Sequence, residues 1–193
     1  MIALRHDENL GTADVSHPVP GKHASAVARM KNAALKKSAA KKAPAVATGI
    51  SSKQLRLLRE SFAQIAPQAH IAALEFYRNL FNLDPSLRGM FHTNIELQGR
   101  KLMEALGFTV ATLENPKALL PELEAMGRRH LTYGVQDKHY DTVLAAMMLT
   151  LRETLGKSFT PEMREAWEKA LGLVAETMKR GAATVTALTS TAA

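Results

Sequence analysis

Apolar residues in this chain recur at steps of three and four and nowhere alternate over a useful length. That period of 3.6 restricts the fold to packed helices, because a half-buried strand needs a period of two. Leu55, Leu58, Phe62 and Ile65 mark one helical face, preceded by Ser51 and Ser52 as candidate N-caps. Pro67 is placed to begin a second helix, where its missing N–H costs nothing. Leu74, Tyr77 and Phe81 lie on that helix's inward line. A short turn through "LDPSL" leads to Phe91. Residues 94–113 carry Leu102, Leu106, Val110 and Leu113 on one side, "ENPK" breaks the run, and residues 118–131 form the next helix. Beyond the corner "YGVQD", Tyr140, Leu144, Met147, Leu151 and Leu155 predict a long helix closed by Gly156. Thr160 and Pro161 open the last helix, with Met163, Trp167, Ala170, Val174 and Met178 inward. Six or seven unequal helices with short corners predict an all-α domain less regular than a four-helix bundle.

The pattern occupies residues 50–183, with tails on either side. Residues 1–49 hold eight Lys or Arg against three Asp or Glu, a surplus of five, which leaves a surplus of only two for the remaining 144. The stretch "GKHASAVARMKNAALKKSAAKKAPAV" has no acid and no aromatic residue. It cannot bury enough apolar surface to offset its ordering entropy, so residues 1–49 are expected to be a disordered tail. Its functional alternative is an electrostatic arm for an acidic partner: nucleic acid, polyphosphate or anionic lipid. Residues 184–193 read as a frayed end. No run of about 18 apolar residues suggests a membrane span, and "MIALRHDENLG" lacks the apolar core of a secretory signal. A cytoplasmic location is expected. The chain has no cysteine, which removes disulfides, thiolate metal sites and a cysteine nucleophile together.

One helix contains an anomaly. Leu119, Leu123, Met126 and His130 fall within an arc of about 60°, so an imidazole is aimed where core side chains point. Three readings are open: a hydrogen-bonded structural histidine, a general base, or a metal ligand. A base wants a nucleophile or acid, and no triad is evident. Zinc wants three or four protein ligands, yet no other histidine stands three or four residues from His130. A single histidine suffices only where a macrocycle supplies the remaining ligands, as in haem. Gln98, four residues before Leu102 in an apolar stripe, and Tyr77 within "EFYRNLF" are polar tips on apolar faces. Each alone is explained by a core edge. With His130 they describe a cavity with one nitrogen ligand on one wall and two hydrogen-bond donors under a leucine roof on the other.

The stretches "FYRNLF", "DPSLRGMF", "LQGRKLMEAL", "ALLPELEAMGRRHLTYGV", "HYDTV" and "EAWEKALGLVA", in that order and spacing, resemble the globins. The likeness covers about residues 51–181 and is nearest to bacterial single-domain globins and the globin domain of flavohaemoglobins, with some likeness to neuroglobin. It implies a globin fold around haem b. It implies His130 as the proximal iron ligand, Phe91 as the aromatic wedge after a short helix begun by Pro85, and Tyr77 and Gln98 as the distal polar pair. Leu102 then roofs the ligand pocket, Val135, Tyr140 and Val143 line the proximal and rear side, and Lys101 reaches a haem propionate or stands as an exposed helix lysine. The implied ligands are dioxygen and other diatomic gases. The implied activities are nitric oxide scavenging with an external, unidentified reductase, or non-enzymatic oxygen storage or sensing. Flavohaemoglobins also place a glutamate beside the proximal imidazole. Here that position falls near Ala182, so a weaker electron push on iron is expected.

Overall fold

A computed structural model of the chain describes residues 48–91 and 94–191. Among the described residues six α-helices follow one another: α1 (Ser52–Ile65), α2 (Ala69–Leu83), α3 (Ile95–Thr112), α4 (Pro116–Thr132), α5 (Asp137–Leu155) and α6 (Pro161–Thr191). There is no strand among the described residues. No helix there is long and apolar enough to cross a membrane. The expectation of a disordered segment over residues 1–49 lies almost wholly outside the described residues. At the other end, the backbone of α6 runs on through Thr191.

Local chemistry sets the helix starts. Ser51 and Gln54 cap α1 reciprocally: the serine hydroxyl accepts from the Gln54 N–H (3.2 Å), and the Gln54 side chain accepts from the Ser51 N–H (3.0 Å). Pro67 lies in a 3-10 turn, Ala66–Gln68, that bends the chain into α2. Asp84 accepts from the Ser86 N–H (3.0 Å) and opens a second 3-10 segment, Pro85–Met90, which turns the chain towards Phe91. Asn94 caps α3 through the Glu96 N–H (2.7 Å). Thr160 accepts from the Met163 N–H (3.3 Å) at the start of α6.

The core draws on all six described helices, with Leu58, Ile65, Leu80, Leu119, Leu123, Leu151 and Trp167 almost fully buried. Trp167 is 1% exposed, and its indole N–H donates to the Ser61 hydroxyl at 2.9 Å, joining α6 to α1. Buried Asn79 donates to Thr150 (3.2 Å) and Glu153 (2.9 Å), joining α2 to α5.

The most extensive packing is between α4 and α6. It is antiparallel: Gly127 lies against Met178, and Gly181 lies against Glu124. At both places a Cβ would collide with the partner helix's backbone. The two helices can come this close only because neither carries a side chain at its crossing residue.

One inward residue was misplaced by periodicity. Leu74 is 51% exposed; Ala72, Ala73, Phe76, Tyr77 and Leu80 hold the buried face of α2. The reason is steric. Ala73 packs so near Gly99 of α3 that only small side chains fit at the α2–α3 crossing, so the bulky leucine turns outward.

Candidate functional site

His130 sits at the end of α4, on the arc below fully buried Leu119 and Leu123. Its ring nitrogen Nδ1 lies 2.9 Å from the Met126 carbonyl oxygen, one turn back. A carbonyl only accepts, so Nδ1 carries the proton and Nε2 keeps its lone pair. Burial holds the imidazole below its usual pKa of 6.5; the Met126 carbonyl opposes this and the charge of Arg129 adds to it. The ring is therefore neutral at pH 7, oriented, and able to donate one nitrogen lone pair.

The corner after α4 keeps this residue in place. Val135 N–H donates to the His130 carbonyl (3.1 Å), Tyr133 N–H donates to the same oxygen (3.1 Å), and Gly134 N–H donates to Leu131 (3.0 Å). Gly134 has φ +79°, a left-handed conformation that suits glycine. Val135 is thus tied to the backbone of His130. Tyr133 places its ring centroid 6.2 Å from the imidazole.

Tyr77, only 6% exposed, stands in an aromatic cluster on α2. The edge of its ring meets Phe91 at 5.3 Å and Phe76 at 5.1 Å, and Phe81 lies 5.9 Å away. The structure therefore brings Tyr77 and Phe91 into direct contact. Arg88 covers the outer face of Phe81 at 4.7 Å. Burial pushes the Tyr77 hydroxyl pKa up to about 12, so it remains a proton donor.

On α3, Gln98 and Leu102 are half-buried and Lys101 is exposed. Leu102 borders an apolar void of about 10 Å³ shared with Phe76, Met103, Leu106 and Met147. On α5, Tyr140 is buried, and burial followed by the charge of Asp137 raises its hydroxyl pKa. Lys179 of α6 stands 5.7 Å from the Tyr140 ring centroid and pairs with Glu176 at 3.2 Å. Val143 is 37% exposed, so it borders the surface.

Three features escaped sequence reading: the Phe76–Phe81 part of the aromatic cluster, the void behind Leu102, and Lys179 over Tyr140. The void and the Lys179 contact depend on helices distant in sequence, whereas Phe76 and Phe81 lie beside Tyr77 on α2 itself. The Met126 acceptor was within reach, because a ring at a helix C-terminus commonly finds the carbonyl four residues back.

The donor set permits a test of which metal group fits. No group of three or more His, Cys, Asp or Glu converges among the described residues. A site built wholly from side chains is therefore unsupported there, whereas one neutral imidazole with a free Nε2 suits iron whose other ligands come from a macrocycle. The two helices that carry the candidate walls, α3 and α4, touch each other little, while α3 packs on α2 and α4 packs on α6.

The Globin family model matches residues 74–178. The flavohemoprotein of Chromobacterium violaceum is 29% identical over 132 residues, covering 66% of this chain and 32% of that protein. That of Bordetella parapertussis is 30% identical over 131 residues, covering 65% and 32%. The chain thus spans about a third of the length of these curated relatives. Among solved structures, an engineered carbene transferase, made from a provisionally designated nitric oxide dioxygenase of Rhodothermus marinus, superimposes with a TM-score of 0.66 at 28% identity. The match covers 73% of this chain and 99% of that one. A hexacoordinated heme protein from an anhydrobiotic tardigrade gives 0.64 at 18% identity, over 70% and 96%, a likeness of fold.

Proposed function

The chain belongs to the globin family, with haem as its cofactor, and on that premise we propose that it binds dioxygen reversibly, with His130 as the iron ligand and Tyr77 and Gln98 as hydrogen-bond donors to the gas. The observation that carries this reading is the Met126–His130 hydrogen bond, which fixes a neutral imidazole with Nε2 free. The proposed domain spans residues 50–183.

Haem held by a single imidazole supplies an open iron position for a diatomic gas. The chain's own side chains then decide how long the gas stays. A gas that takes on partial negative charge when bound would be held by hydrogen-bond donors, and donors in a dry pocket act more strongly than in water. Tyr77 supplies an O–H that burial keeps protonated. Gln98 supplies an amide N–H from α3. Leu102 would exclude water from the gas, Phe91 would pack against the cofactor, and Val135, Tyr140 and Val143 would complete the lining on the side of His130. Lys101, exposed on α3, is placed for a propionate.

Each donated hydrogen bond contributes about 1 kcal/mol, up to about 2 with partial charge on the acceptor. Tyr77→Phe is therefore expected to speed dioxygen dissociation several-fold to about thirtyfold, read by stopped-flow displacement with carbon monoxide. An unchanged rate would remove Tyr77 from the role. Because the hydroxyl's pKa lies near 12, the wild-type dissociation rate should stay flat from pH 6 to pH 10. A donor with an ordinary tyrosine pKa would begin to fail at the upper end of that range.

A second activity draws on what the relatives are called. A flavohemoprotein and a designated nitric oxide dioxygenase are similar to this chain. The corresponding reaction joins nitric oxide, dioxygen and one electron to give nitrate. Sustained nitric oxide consumption in an electrode cell with a supplied reductase would establish it here; a single turnover followed by arrest would leave reversible binding as the activity. The neutral carbonyl behind His130, where a carboxylate would push electrons harder onto iron, favours reversible binding over peroxidase-type chemistry.

A further inference from the structure

We propose that the C-terminal end of α4 and the corner after it, with Tyr133 at the centre and Arg128, Arg129 and Lys138 around it, form the docking surface for an acidic electron-donor protein. This rests on the reading of a haem iron that returns to the ferrous state through an outside reductant.

Tyr133 is the most exposed of the large apolar side chains among the described residues, at 64%. An aromatic ring held on the surface gains most by being covered, and tyrosine is enriched where proteins meet. The backbone that carries this ring is held firmly. Its own N–H and that of Val135 converge on the His130 carbonyl, and Gly134 supplies the turn. A corner whose backbone is already fixed loses less entropy on docking than a mobile loop would.

The surrounding charge identifies the partner. Arg128, Arg129 and Lys138 are exposed, and among the described residues none has a carboxylate within ion-pair distance. By contrast Arg56, Arg59, Arg78, Arg164, Lys179 and Arg180 each have one. From Ala125 through Gln136 the chain carries no acid; Asp137 and Asp141 follow on α5. Asp84, at the end of α2, senses the Lys138 charge without pairing to it. A cationic patch with an apolar centre complements an acidic rim around an apolar contact. The position says what such a partner does. The Tyr133 ring lies 6.2 Å from the imidazole proposed to hold the iron, so a redox centre docked here has a short path to that ligand. One electron leaves the partner's reduced flavin and one ferric iron becomes ferrous; no bond forms or breaks.

The test uses the full chain loaded with haem in the ferric state and a reduced acidic flavodoxin as donor. Stopped-flow absorbance gives the bimolecular reduction rate. The wild-type rate should fall at least about tenfold as salt rises from about 10 mM to about 300 mM. Arg128→Glu with Lys138→Glu should lower the low-salt rate by about tenfold or more, and Tyr133→Ser should lower it several-fold at all salt concentrations. Reduction by photoreduced deazariboflavin, which needs no docking, should change less than about twofold in each variant. Arg164→Glu, on α6 away from the corner, serves as the charge control. A salt-independent rate, or variants that match wild type while their Soret band and dioxygen binding are intact, would overturn the docking surface alone. So would anionic phospholipid vesicles that bind through the same residues while donor reduction is unaffected. Loss of the Soret band in the wild-type protein would overturn the underlying haem reading together with it.

Discussion

His130→Ala is expected to abolish stable haem uptake. Of the other described histidines, His70 is exposed on α2 and the Nδ1 of His139 accepts from the Gln136 N–H, so neither is a ready substitute for the imidazole. Removing groups that merely orient a metal ligand weakens metal sites by about 10- to 100-fold, and loss of the ligand itself should exceed that. The truncation also leaves the Met126 carbonyl without its ring partner and opens a space of imidazole size at the end of α4. Added imidazole should enter it and restore a Soret band, because the anchoring carbonyl remains in place. His70→Ala, at an exposed position on α2, should titrate with hemin as wild type does. If His130→Ala takes up hemin with unchanged affinity and spectrum, the assignment of the ligand is wrong and the histidine is a structural one.

Gly127→Ala should be the most damaging alanine replacement among the described glycines. The added carbon would land on the Met178 carbonyl, which is backbone and cannot swing aside as a flexible side chain could. Relief requires α4 and α6 to separate along their most extensive contact. Overpacking commonly costs about 1–3 kcal/mol, and a backbone collision belongs at or beyond the top of that range. Urea denaturation should show a lower midpoint with an unchanged slope. Gly181→Ala pushes against Glu124 from the other helix and demands the same separation. The double variant should therefore lose less than the sum of the two single losses. Additive losses would mean that the helices relieve the two collisions independently. Because His130 stands one turn beyond Gly127, separation should also weaken haem retention in each variant.

Much of the fold was legible because each helix is described by its own residues. The stripes through Leu55 to Ile65 and Met163 to Met178, the serine cap at Ser51 and the proline at 161 act locally, and local rules found them. His130 was legible for the same reason: Leu119, Leu123 and Met126 define the direction in which it points. Leu74 went wrong where two helices meet, since nothing within α2 says that Ala73 must face Gly99. Gly127 and Gly181 left no local signal either. Both lie inside helices, where a glycine reads only as a weak helix former, and their use appears once the register of α4 against α6 is known. Tyr77 was recognised as a polar tip, but the ring cluster that buries it and raises its pKa is assembled from the chain on both sides of the 3-10 corner.

The contact between Trp167 and Ser61 gives the molecule its own optical reporter. It is the chain's single tryptophan, shielded from water and bonded to a hydroxyl on another helix, so its emission in the unliganded protein should be blue-shifted and should redden when α1 leaves α6. A porphyrin seated in the same small domain absorbs in the region of that emission and lies close enough to quench it. Cofactor loading and loss of the α1–α6 contact can therefore be followed in one cuvette without a label, one by brightness and the other by colour.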